Sequence, residues 1–214
     1  VIVPIHENVL DDATTDILTD VSVLAGQAIG QKLDAAVIWG NEKPASWTSS
    51  ALYPAAVAAG QVNGITSGPA NEDDIIGAVN SSAEELAAIG LLPDALLANL
   101  TFRYQVNGIR DENGLPAFRD EQFAGFATTF SRNATWDNSA ATALVADSSR
   151  VRIGVRQDIS VKYLDQATVQ GIELATRDMV ALRFKARFGY VLSSGATAYD
   201  DSPVPVAAVT PAGS

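Results

Sequence analysis

The chain has 214 residues, 47% hydrophobic and 18% charged, which suffices for one domain or two small lobes around a packed core. Fourteen Lys+Arg against 25 Asp+Glu leave a net charge of −11, which repels nucleic-acid phosphates; no basic patch stands out, so sequence-specific DNA or RNA binding is not expected. No cysteine is present to form disulfides or thiolate metal sites, which fits a cytosolic life, and no apolar run approaches the roughly 18 residues of a membrane span.

Val1 to Ile5 carries no initiator Met, basic n-region or signal-peptide core. It reads as the tail of a strand entering a loop, as though upstream segments came before it. The longest regular signal follows, a helix over about 12–39. Asp11 and Asp12 are its capping carboxylates, and Asp16 complements the dipole of the first turns. Ile17, Val21, Leu24 and Ala28 recur at helical spacing, with Leu18, Ala25, Ile29, Leu33 and Ala36 alongside. Small residues, Gly26 and Gly30 among them, would let another element approach closely. Gly40 and Asn41 end the helix, with Pro44 beyond. At ~1.5 Å per residue this element is roughly 40 Å long, a strut more than a core helix.

Residues 42–70 are rich in Gly, Pro, Ser and Ala and read as an irregular connection. A second helix is predicted over about 71–89, capped by Asn71, with Glu72, Asp73 and Asp74 at its positive end. Gly90 and Pro93 close it. Ala95 to Leu100 reads as a buried strand and Thr101 to Arg110 as a short helix. The turn Asp111, Glu112, Asn113, Gly114 follows. Gln122 to Ser131 and Thr142 to Ala146 read as strands. Val151, Ile153 and Val155 alternate with Arg150, Arg152 and Arg156 as a half-buried strand, continued in style by Asp158 to Tyr163. Asp178 to Leu192 predicts a long strand, or a strand preceded by a turn, and 202–214 an extended or disordered tail. Helices first and strands afterwards make an α+β fold.

Little here suggests catalysis. His6 is the single histidine, in a segment expected to be loose, so a Ser-His-Asp arrangement has little to build on, and an exposed or capping role is the simpler reading. One His and no Cys leave only an all-carboxylate metal site. The pairs Asp11/Asp12 and Asp73/Asp74 are accounted for by helix capping, and Asp200/Asp201 by solvation. Asp111 to Gly114 lacks the ligand spacing and distal Glu of a calcium loop. Gly60, Gly64 and Gly68 are not followed by the Lys-Ser/Thr of a phosphate cradle. Trp39 is expected to anchor the end of the long helix, and Trp47 and Trp136 to pack loops. No catalytic, cofactor-binding or metal residue is assigned, and no enzyme activity or cofactor is expected.

The order of these elements resembles the tailed-phage major capsid protein family, with its Hong Kong 97-type fold. Three stretches carry the resemblance: Val1 to Asp12 with the long helix and its stop at Ala36 to Gly40; Pro93 to Phe118, with Ile109 to Phe118 at its end and Gly125 after it; and the late strands at Val151 to Val155 and Asp178 to Val191. It implies a spine helix and two lobes. A peripheral lobe would take 1–90 and 178–201, an axial lobe 91–177, and the tail 202–214. It places an N-terminal arm and an extended loop upstream of Val1. It implies a structural shell subunit forming hexamers and pentamers around double-stranded DNA, with scaffold, portal and decoration proteins as further partners and no membrane. Its location would be the virion, and the host cytoplasm during assembly. An encapsulin-type nanocompartment shell enclosing a cargo enzyme shares the fold and is the alternative, and a small hydrolase built on His6 the remote one.

Overall fold

The computed structural model describes residues 1–11, 17–65, 72–110, 114–116, 118–132, 135–169 and 171–211. The first half holds β1 (Ile2–His6), α1 (Glu7–Asp11), α2 (Ile17–Ile38), α3 (Leu52–Ala59), β2 (Val62–Gly64) and α4 (Glu72–Ala88). Then come β3 (Ala95–Asn99), α5 (Leu100–Asn107), β4 (Phe118–Arg119), β5 (Gln122–Phe123), β6 (Phe126–Ser131) and β7 (Ala143–Ala146). The late strands are β8 (Val151–Leu164), β9 (Thr168–Val169), β10 (Ile172–Glu173), β11 (Met179–Leu192) and β12 (Val206–Thr210). The mixture of helix and sheet is the α+β class expected.

The chain divides into two compact units, Val1–Lys32 with Ile153–Gly189, and Leu33–Arg152 with Tyr190–Ser214. These boundaries differ from the expected lobe boundaries at 90/91 and 177/178. The second helix, α4, packs on β2, β7 and β12, and so joins the segment after it instead of the start of the chain.

In the first unit β11 is the middle of a three-stranded sheet ordered β1-β11-β8. β1 runs antiparallel to β11, with Ile2 opposite Arg183 and His6 opposite Met179. His6 therefore closes a paired strand, exposed, instead of sitting in a loose segment. Leu174, Val169 and Ala181 form a small core under the β9–β10 hairpin. The described part of the long helix begins at Ile17, so Asp12 and Asp16 lie outside the described residues, and Asp11 is the last residue of α1. At ~1.5 Å per residue the 22 residues of α2 span about 33 Å. A Cβ added at Gly26 or Gly30 would meet nothing within 4 Å among the described residues, so no described element uses the close approach they permit.

The second unit is built on a seven-stranded mixed sheet ordered β2-β12-β7-β3-β6-β5-β4. Its core joins Leu96, Val145 and Val209 from the sheet with Val79 and Leu86 of α4 and Phe102 of α5. Phe102 meets Phe123 edge-on at 5.8 Å. The expected strand over Gln122 to Ser131 is a hairpin. Ala124 (φ 50°) and Gly125 (φ 86°) are both left-handed and turn β5 into β6 in two residues. Residues 42–70 hold α3 and β2 instead of an irregular connection. Pro54 lies in the first turn, where its missing N–H costs nothing. Ala55, Ala56, Ala58 and Ala59 favour helix, and Gly60 (φ 73°) provides the left-handed stop. The cap of α4 expected at Asn71 and the turn at 111–113 fall outside the described residues.

The largest departure is at 202–214. Val206, Ala207, Ala208 and Val209 are fully buried in β12, which runs between β2 (parallel) and β7 (antiparallel). An uncharged run bounded by prolines is what a strand buried on both faces looks like, and local composition does not separate it from a tail.

Tyr190 shows how the second unit closes. Its ring lies 5.7 Å from that of Trp47, and its hydroxyl donates to the Ser50 carbonyl at 3.1 Å. Burial pushes its phenol up from 10.0 to about 12. The fold thus favours the neutral phenol. Its contribution is intact below pH 10 and is lost as pH rises through about 12, where ionisation of the unfolded chain draws the equilibrium. Replacing Tyr190 with Phe is expected to lower stability by about 1 kcal/mol at pH 7 by deleting the hydrogen bond. It should also flatten the loss between pH 10 and 12, which paired urea titrations would read. Equal alkaline slopes for both proteins would refute this.

Candidate functional site

His6 stands exposed at the end of β1, and of the acidic pairs Asp12 lies outside the described residues. Among the described residues no group of three or more His, Cys, Asp or Glu side chains could hold a metal ion. Asp200 accepts from the Ser202 N–H at 2.9 Å, an ordinary turn contact. The Glu85 carboxylate accepts from the Asn63 amide at 3.0 Å, and that amide also donates to the Ser82 hydroxyl, tying β2 to α4. An open cavity of about 850 Å³ in the second unit is lined by Ser50, Ala59, Gln61, Glu85, Asp200 and Pro203 among others. It gathers two carboxylates and hydroxyls with no nucleophile–base pair. Trp39 follows the last residue of the long helix, its ring tilted against Tyr53 at 5.1 Å and edge-on to Trp136 at 5.5 Å, with its indole nitrogen buried and without a hydrogen-bond partner among the described residues.

Surfaces, not a pocket, set this protein apart. The alternation read as a half-buried strand at 151–155 is real, and it continues through one fourteen-residue strand. But β8 is exposed along nearly its whole length. Val155 keeps 60% of its surface, and Ile153, Ile159, Val161 and Tyr163 are exposed with it. These are the odd-numbered positions, so they share one face of the strand. On β11 the apolar positions Val180, Leu182 and Phe184 are buried. The sheet is thus covered along β11 and bare along β8, its edge strand among the described residues.

The other face of the same ribbon is basic, which corrects the expectation that no basic patch exists. Arg156 and Lys162 of β8 and Arg183, Lys185 and Arg187 of β11 are all exposed there. Residue-type patterning could have found the strip, since three cations at every second position of 183–187 lie on one side of any strand. In the second unit Leu92 and Tyr199 are each 78% exposed, further apolar surface.

The sequence matches the phage capsid family over residues 1–196. Among solved structures, a chain from Mycobacterium phage Bobi is 61% identical, with a TM-score of 0.89 over 100% of this chain and 71% of that one. A chain from Mycobacterium phage Cain is 56% identical, with a TM-score of 0.90 over the same shares. One from Microbacterium phage Oxtober96 is 34% identical, with a TM-score of 0.84 over 99% of this chain and 71% of that one. No curated protein matches.

Proposed function

Since the chain belongs to the phage capsid family and is a structural capsid subunit, we propose that its copies assemble as hexamers and pentamers into an icosahedral shell enclosing double-stranded DNA. The observation that carries the reading beyond family membership is the bare apolar face of β8. A soluble single copy gains nothing from exposing Ile153, Val155, Ile159, Val161 and Tyr163 along one strand, whereas a subunit that buries them against neighbouring copies does. The Hong Kong 97-type arrangement supplies the frame: α2 is the spine helix, the first unit the peripheral lobe, and the second the axial lobe. The protein works through its interfaces and not as an enzyme. Scaffold, portal and decoration proteins are its further partners, with assembly in the host cytoplasm and residence in the virion. A cargo-enclosing nanocompartment has less support, because the similarity runs to phage chains at 34 and 61% identity.

Electron microscopy of the full-length protein tests this. Regular icosahedral particles are expected. A protein that stays monomeric at every concentration and ionic strength tried would end the reading.

A further inference from the structure

The charge of this chain is unevenly placed. The second unit carries 16 Asp+Glu against 7 Lys+Arg, whereas residues 153–189 carry 4 against 6. Five of the six cations, Arg156, Lys162, Arg183, Lys185 and Arg187, lie on one face of the β8–β11 ribbon, with Asp158 the lone carboxylate among them.

Three contacts fix how the strands face each other. The Ser193 N–H donates to the Arg150 carbonyl at 2.9 Å, one residue outside both strand ends. A Cβ on Gly189 would sit 3.9 Å from the Gly154 carbonyl, and the Ser160 hydroxyl donates to the Lys185 carbonyl at 3.1 Å. Counting inward, Arg156 stands across from Arg187, and Asp158 across from Lys185. Cross-strand neighbours are about 5 Å apart at Cβ, and next-but-one positions along a strand about 6.8 Å apart. Five positive side chains therefore share one exposed face, and none of them makes an ion pair among the described residues.

Like charges placed directly opposite each other destabilise a sheet. The chain has 25 acidic residues, yet among the described residues of β8 and β11 Asp158 is the one carboxylate on this face. Such a face is completed by an anion laid on it from outside.

We propose that it receives the carboxylate-rich surface of a second copy of this chain. The complement lies in the sequence itself, because the second unit of each copy is strongly acidic. A shell holds copies side by side at high effective concentration, where modest ion pairs add up. Duplex DNA would be drawn to the same strip, but a subunit of net charge −11 repels it as a whole. The inference rests on the shell reading above.

The test pairs stability with assembly. In Arg156→Gln/Arg187→Gln the repulsion disappears, so the unfolding midpoint of the unassembled subunit should rise by about 1–3 °C. The chain concentration needed to form particles should rise roughly tenfold. Arg156→Lys/Arg187→Lys should assemble like the wild type. A purely structural role would move stability and assembly in the same direction. In particles made from mixed ¹⁴N and ¹⁵N chains, a zero-length carbodiimide should link Lys162 and Lys185 to Asp or Glu of the other isotope. Wild-type assembly by the Gln variant, or links confined to one copy, would overturn the inference and leave the shell reading standing. So would retention of a short DNA duplex by the wild type that the Gln variant loses while assembling normally; the face would then belong to phosphate. A wild-type chain that forms no particles removes the shell reading and this inference with it.

Discussion

A chain ended after Asp201 is expected to lose the cooperative unfolding transition of the second unit altogether. The deletion removes β12, whose Val206, Ala207, Ala208 and Val209 are fully buried. Each fully buried Val is worth roughly 1.5–3 kcal/mol. The backbone matters as much. β12 bonds to β2 on one side and β7 on the other, so its loss strips β2 of its ladder and leaves β7, buried at all four positions, as an open edge paired only with β3. These losses approach the whole of a typical stability of about 5–15 kcal/mol. A single substitution makes the same point with less disruption. Ala208 pairs with Val62 and with Leu144, so Ala208→Asp would bury an unpaired carboxylate in mid-sheet, at a cost above about 4 kcal/mol. Circular dichroism and urea unfolding would read both variants. A truncated chain that unfolded at the wild-type midpoint would mean the segment is the loose tail its composition suggests.

The second large effect separates folding from assembly. Replacing both Val155 and Val161 with Lys puts two charges on the bare face of β8. Both positions are about half exposed or more, so the change in subunit stability should stay within about 1 kcal/mol. If neighbouring copies cover that face, each lysine would be desolvated without a partner at every contact of a shell, and particle formation should fail at any practical concentration. Sedimentation and microscopy on one sample would show folded, unassembled subunits. Normal particles from this variant would show that β8 stays bare in the shell and would move the assembly contact elsewhere, with Leu92 and Tyr199 as the next surface to try.

The helices were the legible part. Periodicity over four or five turns, a glycine stop at Gly40 or Gly90 and a proline at Pro93 are local signals, and α2 and α4 appear where they point. α3 could also have been read. Ala-rich sequence with Pro54 in the first turn and Gly60 at the end is a helix signature, set within a stretch otherwise rich in Gly, Pro and Ser. Burial of strands was not legible, because it depends on what covers them. Val151 to Val155 alternates like a half-covered strand and stands bare, whereas 206–210 reads like a tail and sits in mid-sheet. The basic strip was hidden for a related reason. Net charge averages over the chain; the cations at 183, 185 and 187 could be read as one side of a strand, but that Arg156 stands across from Arg187 emerges only once Gly154 is known to face Gly189. Sequence reasoning pointed to interfaces as the seat of function but could not say which face of which strand.

The parallel pairing of β2 with β12 also sets a schedule. Val62 pairs with Ala208, 146 positions later in the chain. A ribosome adding about 5–20 residues per second makes the earlier strand wait on the order of 7–30 s for its partner. Until β12 is made, α3 and α4 lack the strand they pack on, and once β7 has been made the nascent second unit holds an open seam beside it. Its sheet can only be completed after all of the first unit's residues have been made. A polypeptide that acquires its last central strand so late is unable to present finished surfaces while still being synthesised. The fold itself thereby delays subunits emerging on one messenger from engaging each other before they are complete.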